Sequence, residues 1–138
     1  MRLMIDTNIF LDVLLKREPF YVDSKEVLSL CEKGKYQGFL SASSVTDIYY
    51  IVRKTLRSSE SAYKALGLIL DIVKVLTVTN EDVLSAYLKR TPDFEDCLLA
   101  TCTISNKCSA IITRNKKDVD GFNISLFSPE EFLETIRK

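Results

Sequence analysis

The chain has 138 residues, 46% hydrophobic and 28% charged, with 19 Lys and Arg against 19 Asp and Glu, a balance that suits one globular domain able to bury a core. No apolar run approaches the ~20 residues of a membrane span, and zero net charge announces no polyanionic partner globally. With no histidine, Ser-His-Asp and Cys-His catalysis, a histidine base and a His-ligated zinc are excluded, leaving carboxylates, hydroxyls, lysines or a hard metal ion for any chemistry.

Leu3-Met4-Ile5 reads as a short buried strand, ended by Asp6. The helical spacing of Ile9, Phe10, Val13 and Leu14 predicts a helix from Ile9 to Leu15. A second helix runs from Tyr21 to Lys33 and is closed by Gly34. Phe39-Leu40 makes a short strand after a turn at Gly38, and Ser43 and Ser44 are placed to cap a helix reaching about Arg57. Ser58 or Ser59 starts another, through about Ile72, and the β-branched stretch from Val73 to Val78 is strand-like. Thr79 caps a helix from Asn80 to Lys89, whose Glu81 and Asp82 suit the positive end of a helix dipole. Pro92 precedes a helix from about Asp93 to Asn106. Ala110-Ile111-Ile112 and Ile124-Ser125-Leu126-Phe127 are strands, and Ser128-Pro129-Glu130-Glu131 opens a final helix with a cap and an early proline.

No repeat, low-complexity tract or linker interrupts residues 1–138, so a single domain is expected. The N-terminus lacks the basic, apolar and small-residue regions of a signal peptide, which makes the cytoplasm the default location. Cys31, Cys97, Cys102 and Cys108 show no CxxC spacing and read as reduced core residues. Basic clusters occur at Arg53-Lys54-Thr55-Leu56-Arg57, Lys89-Arg90 and Arg114-Asn115-Lys116-Lys117. Each taken singly reads as solvated surface.

Short strands, apolar on both faces and alternating with helices, argue for a parallel α/β sheet. Ligands of such sheets bind outside the carboxyl ends of the strands. Asp6 and the segment Thr113-Arg114-Asn115 both follow strands and belong at that edge. Asp47, the group Asp93, Glu95 and Asp96, and Asp118 supply further carboxylates. Each has an ordinary role available: Asp6 as a helix cap, Asp93 and Asp96 as first-turn residues, Asp47 as a solvated helix position, Asp118 as a turn residue. Held together, they would repel one another unless a cation were present, and Mg²⁺ or Mn²⁺ prefers such oxygen ligands.

Four stretches in this order, MIDTNIFLDVL, SASSVTDIYYIV, DFEDCLLATC and IITRNKKD, resemble the motifs of PIN domains, metal-dependent ribonucleases that include many toxins of the VapC kind. The resemblance covers nearly the whole chain. It implies a three-layer fold, a parallel sheet of about five strands flanked by helices, and cleavage of single-stranded RNA with Mg²⁺ or Mn²⁺. By position, Asp6 matches the first acidic residue and Asp96 the third. Asp47 stands where glutamate is commoner and is one methylene shorter. Asp118 is the counterpart of the fourth in a T-x-N-x-x-[DE] form, although other members have the acid where this chain has Asn115. Thr7, Asn8, Thr113 and Asn115 would support the site, and Arg114, Lys116 and Lys117 would hold the RNA backbone. A small antitoxin protein and a homodimer are the partners the resemblance implies. A stand-alone RNA-processing nuclease and a non-catalytic binding module are the alternatives.

Overall fold

The computed structural model describes residues 1–116 and 121–137. Among them the chain runs β1 (Arg2–Ile5), α1 (Thr7–Leu14), α2 (Tyr21–Glu32), β2 (Gln37–Ser41), α3 (Ala42–Leu56), α4 (Ser59–Ile72), β3 (Lys74–Leu76), α5 (Asn80–Lys89), α6 (Phe94–Ser105), β4 (Ala110–Ile112), β5 (Ser125–Phe127) and α7 (Pro129–Ile136). All five strands are parallel, in the order β3-β2-β1-β4-β5. The expected α/β architecture is the one observed.

The order follows from what each strand must bury. Leu3 and Ile5 of β1 point to one face, where they join Phe10 of α1, Val27 of α2, Ile48 of α3, Ile69 of α4 and Phe132 of α7 in one core. Met4 points to the other face and packs with Phe39, Ile111 and the α6 residues Leu99, Ala100 and Cys102. Period-two alternation along the central strand therefore feeds two separate cores, which makes three layers. All four cysteines are buried and unbridged. Burial pushes the Cys31 thiol up to about 11, so it is an inert core group.

The helix ends carry recognisable chemistry. Gly34 has φ +81°; its N–H donates to the Cys31 carbonyl and that of Lys35 to the Leu30 carbonyl, which closes α2 in a Schellman motif. Capping boxes open α5 (Thr79 with Asp82) and α7 (Ser128 with Glu131). Three expectations are corrected. Gly38 is a buried residue inside β2, not a turn. An added Cβ there would lie 2.8 Å from Cys31 Sγ and 2.9 Å from Val73 Cγ1, so glycine is required by the close approach of α2 and Val73. The cap of α3 is Ser41, whose hydroxyl accepts from the Ser43 N–H, rather than Ser43 or Ser44. The strand expected from Val73 to Val78 pairs only over Lys74–Leu76. Among the described residues no helix is long and apolar enough to cross a membrane.

Candidate active site

From β1 the chain moves outward to β2 and β3, then returns to place β4 and β5 on the other side of β1. The strand order thus reverses between β1 and β4, and a crevice opens outside their carboxyl ends. Asp6 follows β1 directly, and its N–H extends the ladder by donating to the Ile112 carbonyl at 3.0 Å. Thr113 follows β4 and is buried.

Asp6 occupies the N-cap position of α1, yet its side chain makes no cap hydrogen bond. Instead Asp6 Oδ2 accepts from Thr113 Oγ1 at 2.8 Å. The Thr113 hydroxyl oxygen in turn accepts from the Asn115 N–H at 3.0 Å. The first carboxylate is therefore oriented by the segment after β4, not by the helix behind it.

A cleft of about 370 Å³ lies over this edge, lined by Asp6, Thr7, Asn8, Leu11, Asp47, Ile51, Asp93, Glu95, Asp96 and Asn115. Four distant stretches of chain meet there. α3 brings Asp47, α6 brings Glu95 and Asp96, and Asp93 stands at the N-cap of α6. Asp93 fills its ordinary role, since its side chain accepts from the Asp96 N–H at 3.1 Å. Glu95 lines the cleft and is exposed. Partial loss of water raises its carboxyl above the usual value, and the negative charges of Asp47, Asp93 and Asp6 raise it further.

Of the residues named from the sequence, Asp6, Thr7, Asn8, Asp47, Asp96 and Asn115 line one cleft, with Thr113 bonded beneath Asp6. Lys117 and Asp118 lie outside the described residues. Arg114 and Lys116 are turned to other carboxylates. Arg114 Nε and Nη2 donate to the two oxygens of Asp12 at 2.8 and 2.9 Å, and its guanidinium lies 3.8 Å from the centre of the Phe20 ring. Lys116 Nζ contacts both oxygens of Glu131 at 2.7 and 2.8 Å.

Asp12 was not singled out by sequence reasoning. It is fully buried and also accepts from Ser24 Oγ at 3.2 Å. The one available signal was its place as the sole charged residue in IFLDVLL. Its pairing holds the Thr113-Arg114-Asn115 segment against α1, and so holds the threonine that orients Asp6.

The lining offers five carboxylates together with Asn8 and Asn115, and no thiol. That chemistry fits a hard divalent ion such as Mg²⁺ or Mn²⁺. Among the described residues no three acidic side chains already form a ready metal site, so the carboxylates would have to draw together around one.

A family model described as "PIN domain" matches residues 2–117. Among solved structures the chain is similar to VapBC2 from Rickettsia felis bound to a DNA fragment from its promoter, at TM-score 0.72 and 20% identity, covering 93% of this chain and 98% of that one. DNA-bound VapBC from Salmonella typhimurium matches at TM-score 0.71 and 16% identity, over 94% and 98% of the two chains. Mycobacterium tuberculosis VapC20, a toxin that cleaves the sarcin-ricin loop, matches at 0.67 and 13%, over 87% and 95%. These likenesses establish the shared fold. No curated protein sequence matches the chain significantly.

Proposed function

This chain belongs to the PIN domain family, and from that premise we propose that it is an endoribonuclease that hydrolyses phosphodiester bonds of single-stranded RNA with Mg²⁺ or Mn²⁺. The observation that carries the reading is the placement of Asp6. It stands at the reversal point of the sheet, excused from capping its own helix, oriented by Thr113, and facing a cleft shared with Asp47, Glu95 and Asp96.

Asp6, Asp47 and Asp96 would hold the ion, with Asp118 as the fourth acidic residue by its place in TRNKKD. A divalent ion bound there supplies an activated water and neutralises charge developing on the phosphoryl oxygens. Thr113 fixes which Asp6 oxygen faces the cleft, because its hydroxyl engages Oδ2. Asn8 and Asn115 offer amide hydrogens to a substrate oxygen.

We further propose that the protein is the toxin of a toxin–antitoxin pair, inhibited by a small antitoxin protein and working as a homodimer in the cytoplasm. The support is that solved neighbours of the same fold are VapBC assemblies. The second reading is a PIN-like module that binds without cleaving; among the described residues no three acidic side chains are already gathered as a metal site.

A single assay separates these readings. RNA is incubated with the protein in Mn²⁺, in Mg²⁺ and in EDTA, beside the Asp6→Asn variant. Cleavage with either metal, abolished by EDTA and lowered at least about 100-fold by Asp6→Asn, supports the nuclease. Cleavage that persists in EDTA, or in Asp6→Asn, overturns the site assignment. No cleavage under any condition leaves the binding module as the reading.

A further inference from the structure

We propose that the hollow between the C-terminal half of α3 and the start of α4 is a track for the backbone of single-stranded RNA, leading away from the acidic cleft. The proposal rests on the ribonuclease reading, but its test needs no cleavage.

The need for such a track is electrostatic. A cleft lined by five carboxylates repels a polyanion, so affinity for RNA must come from cations elsewhere on the surface. The two cations nearest the cleft in sequence do not supply it: Arg114 is bound to Asp12 and Lys116 to Glu131.

The α3–α4 hollow has a volume of about 850 Å³ and is lined by Tyr50, Arg53, Lys54 and Arg57 from the α3 side, with Ser58 and Glu60 opposite. Among the described residues none of the three cations makes an ion pair, and Glu60 is the one acid lining the hollow. A helix C-terminus favours basic residues by itself, which accounts for Arg53 and Lys54 in the last turn. It does not account for Tyr50, which is 61% exposed in the same hollow. Its ring is held edge-on by Tyr49 at 5.2 Å, and Tyr49 is braced by Tyr63 at 5.1 Å. Cations beside a braced, exposed aromatic ring form the combination that holds single strands, phosphates on the cations and a base on the ring.

One helix joins the track to the cleft. Asp47, Tyr50 and Lys54 follow i, i+3, i+7 spacing on α3, which keeps them on one face, and Arg57 follows as the C-cap residue of that helix. Asp47 lines the cleft and Tyr50, Lys54 and Arg57 line the hollow. The face extends about 10 Å from Asp47 to Lys54 at the helical rise. This continuity with a phosphodiester-cleaving cleft favours RNA over an acidic polypeptide as the occupant.

Fluorescence anisotropy with a labelled poly-uridine strand of about 12 nucleotides, within the span such tracks cover, tests the proposal in EDTA. The variants are the triple Arg53→Gln, Lys54→Gln, Arg57→Gln and the single changes Tyr50→Ala and Tyr50→Phe. All four positions are exposed, and thermal melts check that each variant folds. The triple variant should bind at least about tenfold more weakly, with its salt slope reduced by about 2, as three lost phosphate contacts require. Tyr50→Ala should weaken binding while Tyr50→Phe retains it, and the charge-keeping pair Lys54→Arg, Arg57→Lys should bind like the parent. Unchanged affinity and salt slope in the folded triple variant overturn the track, as does failure of the parent protein to bind the strand. Tighter binding of a poly-glutamate peptide of matched length also overturns it, in favour of an acidic polypeptide. Binding that depends on the track without cleavage in any metal would remove the ribonuclease reading alone, and cleavage with track-independent binding would remove the track alone.

Discussion

Arg114 and Asp12 form an unequal pair. The Arg114 side chain is 26% exposed and Asp12 is not exposed at all. Removing the arginine leaves a buried carboxylate with, among the described residues, the Ser24 hydroxyl to bond it, whereas removing the aspartate leaves a guanidinium that can turn to water while keeping its contact with Phe20. Arg114→Ala is therefore expected to cost about 3–5 kcal/mol, the range for stranding a buried charge, and Asp12→Ala less; urea unfolding of the two variants checks the order. Glu131 gives a pH signature. Its contact with Lys116, with help from the Ser128 N–H, brings its carboxyl from 4.5 down to about 2. A carboxyl depressed on folding adds stability that is fully present above its unfolded value and is lost as pH falls from about 4.5 towards 2. The group is on the surface, so the effect is small and screened by salt. In Glu131→Gln the melting temperature should fall less steeply across that acid window than in the parent, and an unchanged slope would remove Glu131 from the account. These residues also mark what a sequence can disclose. Asp6 and Asp47 were legible because the ends of apolar strands and helix faces reveal them locally. The roles of Asp12, Arg114, Lys116 and Glu131 were not, because each depends on a partner brought close by the fold, 102 positions away for Arg114 and Asp12.

At the scale of elements, the helices were legible through their caps. Thr79, Ser58, Ser128 and Gly34 all act where local chemistry placed them. The strands were legible in existence more than in length, since pairing partners set where a strand ends. The strand-like stretch from Val73 to Val78 pairs over three residues because β2 has no more to offer beyond Ser41, where α3 begins. Gly38 was misread for a related reason. Glycine signals a turn locally, but here it answers a crowding that exists only once α2 and the end of α4 lie over β2. Gly38→Ala would place a methyl within 3 Å of Cys31 Sγ and Val73 Cγ1. Overpacking of this kind is expected to cost about 1–3 kcal/mol. Cys31→Ala in the same chain should recover part of the loss, because it removes the Sγ contact and leaves the one with Val73. Thermal denaturation of the two variants and the parent reads both effects, and a Gly38→Ala protein as stable as the parent would mean that the helix shifts freely.

For the molecule as a whole, the proposed metal ligands are a product of topology. Asp6, Asp47 and Asp96 come from three separate stretches, and the sheet reversal is what gathers them over one edge. Unfolded, the chain has no means of presenting them together, so an ion that binds them binds the folded state alone. Linkage then makes the ion a stabiliser. At a hundred times its dissociation constant it adds about 2.7 kcal/mol, which for 138 residues raises the melting temperature by about 9 °C. The open arrangement of the carboxylates lowers affinity, because part of the binding free energy must draw them together, but it leaves the form of the dependence intact. The melting temperature should climb with the logarithm of Mn²⁺ concentration once the site is filled, and EDTA should reverse the rise. Asp6→Asn should shift that curve to higher concentrations. A melting temperature indifferent to Mn²⁺ and Mg²⁺ from micromolar to millimolar levels would mean that the cleft gathers carboxylates without holding an ion, and catalysis by metal-activated water would go with it.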